Sequence, residues 1–234
     1  KRHCRLCNDT GYTAEGRCRC LQRLICEEEA KNITKGSPLR LCSFAAFRLE
    51  YYEEAPNEQG LRPREIMTKV KDYCQAYAED FDCGSPNLLF TGATGLGKTH
   101  LALSIANDVL QKGFSVIYDS CFSLLNRLEK EHFGRSHEPG DTMSSLLRAD
   151  LVIVDDLGSE FTTPFSIASL YNIINARILY EQPTIISTNL SLQEISQQYE
   201  DRIASRLAGH YERLNFIGKD LRPKRKHGCQ GGMV

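Results

Sequence analysis

The feature that most constrains this chain is a stretch at 92–99 that fits the pattern G-x-x-x-x-G-K-[ST]. Its members are Gly92, Ala93, Thr94, Gly95, Leu96, Gly97, Lys98 and Thr99. A predicted strand at 88–90 precedes it and a helical pattern at 99–111 follows it. In that setting the glycines let successive N–H groups turn inward around an anion, Lys98 reaches the β- and γ-phosphates of a nucleotide, and Thr99 ligates Mg²⁺. The alternative is a glycine-rich turn that matches by chance, and both flanks argue against it.

Short apolar runs alternate with helical patterns along most of the chain. The runs predict strands at 88–90, 115–118, 151–154, 184–187 and 214–217. Apolar residues at helical spacing predict helices at 64–77, 99–111, 121–131, 167–180 and 201–207. Strands that alternate with helices imply crossover connections, so the sequence predicts an α/β domain with a largely parallel sheet.

The chain divides into three parts by composition. Residues 1–40 are polar, basic and rich in cysteine, 41–223 carry the α/β pattern, and 224–234 form a basic, glycine-rich tail. The formal charge of −1 excludes a uniformly basic nucleic-acid coat, so any nucleic-acid surface must be local. No apolar run approaches the roughly 18 residues of a membrane helix and the start lacks the apolar stretch of a signal peptide, so we expect a cytoplasmic protein without membrane contact.

Two adjacent carboxylates follow the most apolar predicted strand. Four apolar residues at 151–154 lead into Asp155 and Asp156 at the carboxyl edge, where open parallel sheets bind ligands. We expect Asp155 to hold Mg²⁺ and Asp156 to polarise the attacking water. A pair that only caps the following turn is common in isolation, but its combination with the phosphate loop favours the catalytic interpretation.

Polar residues near the next strand and on a late helix have two interpretations each. Asn189 follows the run at 184–187 and either positions the water or only forms a turn. Arg202 and Arg206 lie four residues apart, on one helical face. They either belong to a solvated helix or offer an arginine to a phosphoryl group in a neighbouring subunit.

The first twenty residues contain four of the ten cysteines: Cys4, Cys7, Cys18 and Cys20. Two close thiolate pairs can complete a tetrahedral zinc site, and a segment this short needs such a link to be ordered. Because the second pair is C-x-C, His3 or Cys26 is an alternative ligand.

Several of these segments together resemble the DnaC/DnaI helicase-loader group of AAA+ ATPases, close kin of the IstB transposition ATPases. The resemblance rests on 92–101, 155–160, 187–189, 205–207 and 218–222 and covers about 41–223. It implies a P-loop NTPase sheet of order 5-1-4-3-2, with His100 counted in the nucleotide-binding segment. The cysteine cluster resembles the zinc-binding segment of DnaI-type loaders.

The resemblance also implies roles for individual residues. Asn189 would be the sensor at the end of the fourth strand, Arg206 the finger offered to a neighbour, and Arg222 a second sensor. Phe44 and Phe47 stand where the family has a short Phe-x-x-Phe segment; they either pack on adenine or anchor the linker to the core.

The implied activity is Mg²⁺-dependent hydrolysis of ATP by a protein that self-associates with ATP and loads a hexameric replicative helicase. Single-stranded DNA is an implied partner, with dispersed candidates at Lys112, Arg127, Lys130, Phe133 and Arg135. The alternatives are an IstB-like transposition ATPase, a small-molecule kinase and a nucleotide-dependent interaction module that does not hydrolyse ATP.

Overall fold

A computed structural model of the chain describes residues 4–14, 16–18, 20–21, 24, 42–134 and 141–222. The predicted boundary near residue 40, the tail at 224–234, His3, Cys26 and Arg135 lie outside the described residues. None of the described helices is both long and apolar enough to cross a bilayer.

The core of the molecule is a parallel sheet of five strands. The strands are β1 (Asn87–Thr91), β2 (Val116–Ser120), β3 (Leu151–Leu157), β4 (Thr184–Thr188) and β5 (Tyr211–Asn215). Their spatial order is 5-1-4-3-2, and every neighbouring pair is parallel. The order and direction expected from the sequence are therefore confirmed.

Seven helices are described around this sheet. They are α1 (Pro63–Glu79), α2 (Lys98–Gln111), α3 (Cys121–His132), α4 (Thr142–Arg148), α5 (Pro164–Leu179), α6 (Leu192–Tyr199) and α7 (Asp201–His210). Local signals fix several of their starts: Ser120 caps α3, and reciprocal capping boxes begin α5 at Thr163 and α6 at Ser191. Two short 3₁₀ turns, Phe44–Ala46 and Leu49–Tyr51, lead into the domain.

Alternate strand residues divide the core into two apolar layers. Leu88 and Phe90 of β1 pack on the side of α1 and α2, whereas Leu89 packs on the side of α3 to α7. This follows from the two-residue repeat of a strand, since successive side chains point to opposite faces. Both faces of the sheet are covered, so its carboxyl edge is left to bind ligands.

The predicted fifth strand is wrong in position. It was expected at 214–217 and is Tyr211–Asn215, which pairs with β1 alone at the sheet border. Because Glu212, Arg213 and Asn215 on this edge strand are exposed, its sequence lacks the continuous apolar run that marks the buried strands. The short helices α4 and α6 were not predicted.

Candidate functional site

The loop between β1 and α2 has a backbone that only glycine can adopt at two positions. Gly92 has φ = 140°, and a Cβ there would lie 2.3 Å from the backbone oxygen of Phe216. Gly97 has φ = 87°, and a Cβ there would lie 2.7 Å from the ring of Phe47. These close contacts and left-handed angles hold the loop in its curled form, as an anion nest requires.

The Lys98 side chain is turned into this loop. It is 7% exposed, and its Nζ donates hydrogen bonds to the carbonyl oxygens of Gly92 (2.6 Å) and Ala93 (2.8 Å). Burial lowers the pKa of Lys98 below its ordinary 10.5, and the Asp156 and Asp155 carboxylates partly oppose that shift. A phosphate in the loop would therefore meet a poorly solvated cation, which strengthens their attraction.

Asp155 is buried at the carboxyl edge of the sheet and joins three elements. Its Oδ2 accepts hydrogen bonds from Thr99 Oγ1 and from the Tyr118 hydroxyl, both at 2.8 Å, and its Oδ1 accepts one from Ser187. Burial, then the Asp155 charge, raises the pKa of Tyr118, so the phenol remains a donor. Adjacent hydroxyl and carboxylate oxygens from Thr99 and Asp155 are the ligands that Mg²⁺ takes in phosphate-binding loops, so this donor pair fits the metal.

Asp156 has an exposed side chain and an unusual backbone. The pairing of β3 with β4 shifts register between Val154 and Leu157, so Asp156 lies in a bulge, with φ = 59°. Its N–H donates to Ser187 Oγ at 2.9 Å. A bulge of this kind redirects a side chain, and here it leaves Asp156 on the wall of the open cavity while Asp155 stays buried.

These groups meet in one cavity of about 460 Å³. Among the predicted site residues it is lined by Thr94, Gly95, Leu96, Gly97, Lys98, Thr99, His100, Phe47, Asp155, Asp156 and Arg222. Tyr52, which no sequence motif indicates, lines it too and donates a hydrogen bond to Leu96 O at 2.7 Å. Motif searching misses Tyr52 because its contact joins residues 44 positions apart.

The two phenylalanines predicted as adenine contacts, Phe44 and Phe47, differ in their position relative to the cavity. Phe47 lines the cavity, and its ring centroid lies 5.8 Å from that of Tyr52 and 5.4 Å from that of His100. Phe44 is buried in the core and does not line the cavity. The expectation that Phe44 contacts adenine is therefore corrected: its ring anchors the segment before α1, as the alternative held. His100 has a similar anchoring contact through its Nε2, 2.9 Å from Ser43 O.

The segment after β5 packs against the phosphate loop between β1 and α2. The N–H of Leu221 donates to Gly95 O at 3.1 Å, and the Arg222 N–H donates to Asp220 Oδ1 at 2.9 Å. Arg222 is exposed on the cavity wall, as a cation that reaches a nucleotide phosphate would be.

Asn189 and Arg206 do not line the cavity. Asn189 is exposed just beyond β4, and the described residues show no contact from it to the loop. Arg206 lies on α7, where its Nε donates to Asn175 Oδ1 at 2.7 Å and its guanidinium lies 4.8 Å from the centre of the Tyr171 ring. Arg202 lies over the same ring at 4.5 Å and pairs with Glu200 at 2.9 Å. The structure therefore does not bring either arginine to its own cavity.

The amino-terminal cysteines form a compact cluster beside a two-stranded hairpin, Tyr12–Thr13 with Gly16–Arg17. The sulfur atoms of Cys4, Cys7, Cys18 and Cys20 all lie within 4.8 Å of one another. Tetrahedral zinc with bonds of about 2.3 Å needs sulfurs about 3.8 Å apart, and the Cys4–Cys18 and Cys7–Cys20 separations are 3.8 and 3.3 Å. The cluster therefore fits the metal.

The electrostatics of this cluster favour a thiolate. Burial raises the pKa of Cys7, but hydrogen bonds from Cys20, from the Gly11 backbone and from the other two thiols outweigh it and lower that pKa to about 6. Metal-binding cysteines must be deprotonated, so the lowered pKa of Cys7 favours zinc binding. The hydrogen bond with Cys7, followed by burial, raises the pKa of Cys20 to about 12, so the preference for a thiolate is confined to Cys7 within this pair.

Of the candidate DNA-contacting residues, Lys112 directly follows α2, Arg127 and Lys130 lie on α3, and Phe133 directly follows α3. Lys112 donates to Glu79 O, and Arg127 forms an ion pair with Asp119 at 3.4 Å. Phe133 is 55% exposed and contacts His132 and Phe165. These contacts do not define a continuous basic groove.

Comparison with known proteins gives several related proteins of limited identity. The replicative helicase loader DnaC of Escherichia coli (strain K12) is 23% identical over 164 residues, 64% of this chain and 67% of that protein. The ATP-binding protein of insertion sequence IS5376 from Geobacillus stearothermophilus is 28% identical over 148 residues, 60% of this chain and 57% of that protein.

Solved structures agree on the fold. The crystal structure of the DnaC helicase loader matches with a TM-score of 0.62 at 20% identity, over 78% of this chain and 100% of the other. That of DnaI matches with a TM-score of 0.61 at 18% identity, over 80% and 95%. The sequence model described as IstB-like ATP binding protein matches residues 69–228, which include the phosphate loop and the acidic pair. The chain therefore belongs to the family of IstB-like ATP-binding proteins and has the AAA+ fold.

Proposed function

We propose that this protein is a Mg²⁺-dependent ATPase that loads a replicative DNA helicase. The observation that supports ATP hydrolysis is the convergence of Lys98, Thr99, Asp155 and Asp156 on one cavity, with Thr99 Oγ1 2.8 Å from Asp155 Oδ2. Binding of ATP alone needs only the glycine loop and Lys98. The bulge in β3 turns a second carboxylate, Asp156, toward the cavity, which favours a site that also hydrolyses ATP.

Each group has a role in hydrolysis. The loop N–H groups and Lys98 hold the phosphates, and Thr99 with Asp155 would hold Mg²⁺, which supplies neutralising charge to the phosphate oxygens when bound. Asp156 orients water for in-line attack on the γ-phosphorus and accepts its proton. The bond from the γ-phosphorus to the bridging oxygen breaks, and ADP leaves with that electron pair. Tyr118 and Ser187 hold Asp155 in place through their hydrogen bonds.

The nucleotide base would contact the part of the lining that comes from the segment before α1. That segment contributes Cys42, Phe47, Arg48, Tyr51 and Tyr52 to the cavity. The aromatic rings of Phe47 and Tyr52 supply an apolar surface for adenine. Arg222, which also lines the cavity, would bind the phosphates.

Arg206 acts in a neighbouring subunit. Its Nε donates to Asn175 and its guanidinium carbon lies 4.8 Å from the centre of the Tyr171 ring, so the hydrogen bond to Asn175 uses Nε and not the two terminal nitrogens. A bidentate arginine of this kind stabilises charge on a transferring phosphoryl group. ATP would then favour assembly, because a bound triphosphate gives the neighbour's arginine a ligand.

The helicase-loading role is supported by the similarity to DnaC and DnaI and by the cysteine cluster, which resembles the zinc segment of DnaI-type loaders. In this role the protein binds a hexameric helicase and single-stranded DNA. The similarity to the IS5376 ATP-binding protein favours a second candidate, an ATPase that assists transposition. Zinc at Cys4, Cys7, Cys18 and Cys20 would order the amino-terminal segment as a docking module.

A mixing experiment tests hydrolysis and the role of Arg206 together. Lys98→Ala should abolish ATP binding, while Arg206→Ala should bind ATP normally and lose at least about a thousandfold in assembled turnover. Mixed subunits should regain turnover, because the Lys98→Ala subunit donates Arg206 to the intact site of the other. Arg213→Ala, on an exposed edge strand, is the matched control. Turnover that is unaffected in Arg206→Ala, or not regained in mixtures that assemble, would reject the action between subunits.

The partner is tested by co-purification with the replicative helicase of the same cell, with and without ATP. We expect ATP-dependent capture of the helicase. Capture of a transposase instead would support the second candidate. Release of inorganic phosphate, with no transfer to a metabolite, separates an ATPase from a kinase.

A further inference from the structure

The loop after β3 contains a buried carboxylate that the hydrolytic groups above do not use. Glu160 is only 7% exposed and lies four residues beyond Asp156. Its Oε2 accepts a hydrogen bond from the Gly158 N–H at 3.2 Å, within its own loop. Its Oε1 accepts hydrogen bonds from Cys121 Sγ at 3.1 Å and from the Tyr199 hydroxyl. A carboxylate with three donors inside the protein is rigidly placed.

The partners of Glu160 come from three elements. Cys121 begins α3, directly after β2, and Tyr199 ends α6; both side chains are fully buried. Burial, together with the Glu160 carboxylate, raises the pKa of both the Cys121 thiol and the Tyr199 phenol, so both stay protonated as donors. The carboxylate thus connects the loop to both neighbouring elements.

The loop itself is compact between Asp156 and Glu160. The Asp156 carbonyl accepts hydrogen bonds from the Ser159 N–H at 3.3 Å and the Ser159 Oγ at 2.8 Å. Gly158 has φ = 106°, and a Cβ there would lie 2.6 Å from Leu190. A displacement of Asp156 is therefore passed to Glu160, since the turn between them has little room to absorb it.

On the other side, Tyr199 lies next to the helix that carries Arg206. A single residue, Glu200, separates α6 from α7, and its φ of 74° is left-handed. A one-residue connection gives α7 little freedom to move independently of Tyr199. Asp156 and Arg206 are therefore joined by an unbroken series of contacts and short connections, which runs through the loop after β3, Glu160, Tyr199, Glu200 and α7.

We propose that Glu160 is a positioning residue that ties the Asp156 loop to the α7 helix, so that the nucleotide bound in one subunit affects the arginine which that subunit offers to the next. This inference rests on the proposed function. By linkage, ATP that strengthens the subunit contact must be bound more tightly in the assembled form by the same factor. Loss of the Glu160–Tyr199 hydrogen bond would remove a large part of this increase in ATP affinity on assembly.

The test uses Tyr199→Phe, which removes one hydroxyl, and Glu160→Gln, which removes the charge but keeps the size. Sedimentation of the full chain gives the self-association constant with and without a non-hydrolysable ATP analogue plus Mg²⁺. We expect each variant to reduce the analogue's effect on self-association by about tenfold, the usual consequence of losing a hydrogen bond to a charged group. The double variant should lose little more than either single one, because both act on one contact.

Analogue affinity at dilute protein should stay within about twofold of wild type in Tyr199→Phe. Tyr180→Phe, on a 70% exposed tyrosine, is the matched control. A purely structural contact would lower the unfolding midpoint and leave the analogue's effect on self-association unchanged, and that result would overturn the proposal. Wild-type protein that binds the analogue without any change in self-association would overturn it too. Failure of the wild type to bind the analogue would instead reject the proposed function.

Discussion

Arg177 is a fully buried cation that forms no ion pair with a carboxylate among the described residues, and its removal should lower the stability of the protein. Its guanidinium donates hydrogen bonds to the carbonyl oxygens of Leu146, Ala149 and Pro183 and, through Nε at 2.8 Å, to Thr184 Oγ1. These contacts join the end of α4, helix α5 and the start of β4. In Arg177→Met the side chain still fills the space, but the carbonyl oxygens of Leu146 and Ala149 lose their donor, whereas Pro183 O keeps the Val152 N–H at 3.2 Å.

The magnitude follows from two opposing terms. Each buried carbonyl left without a donor costs about 1–3 kcal/mol, or about 4 kcal/mol for two. Burial lowers the pKa of Arg177 from 12.5 to about 10, which corresponds to about 3 kcal/mol of unfavourable charge burial that the variant relieves. We therefore expect Arg177→Met to lower the free energy of unfolding by about 1 kcal/mol.

Urea unfolding measures this loss as a lower midpoint at an unchanged slope. Arg213→Met, on the exposed edge strand β5, should change stability by less than about 0.5 kcal/mol. An Arg177→Met protein that is as stable as the wild type or more stable would contradict the reasoning. It would mean that apolar packing replaces the buried guanidinium without penalty, as it does for some buried ion pairs.

The other predictions concern the cavity and the cysteine cluster. Asp156→Asn should bind ATP with normal affinity and lose about a hundredfold or more in turnover, measured as phosphate release; near-normal turnover would remove Asp156 from catalysis. Burial lowers the pKa of Lys98 below 10.5, so this side chain loses its charge at a lower pH than an ordinary lysine does. Nucleotide affinity, measured in titrations from pH 7 upward, should therefore begin to fall below pH 10.5. Elemental analysis should find one zinc per chain, and Cys7→Ser should lose it while the nucleotide affinity stays unchanged; equal zinc in both proteins would exclude the cluster as the site.

The parts of the site that the sequence predicted are those held together by local chain geometry. The phosphate loop needs eight consecutive residues between a strand and a helix, and β1 and α2 flank it as expected. Asp155 and Asp156 follow a strand buried on both faces, so their place at the sheet edge follows from the topology. The sequence suggested a different role for each carboxylate but not the bulge that exposes Asp156, because that bulge depends on how β3 pairs with β4.

The residues that were missed act through contacts between distant segments. Tyr118 and Ser187 lie on β2 and β4, and they meet Asp155 only because those strands flank β3. Tyr52 reaches the phosphate loop from a 3₁₀ turn before α1. Glu160 resembles any acidic loop residue in the sequence. Partners of this kind follow from strand order and register, which propensity and periodicity do not specify.

The charge of the cavity supports the proposal that a residue from outside it takes part in hydrolysis. The charged side chains that line it are three cations, Arg48, Lys98 and Arg222, and two carboxylates, Asp155 and Asp156, a formal balance of only +1. A triphosphate brings several negative charges, and as its terminal bond breaks, charge spreads over the γ-phosphate oxygens, with Mg²⁺ and Lys98 offsetting part of it. Arg206 lies outside this cavity, on α7, with its guanidinium held in place. In the proposed mechanism it supplies the missing cation only when a second subunit docks, so hydrolysis waits for assembly.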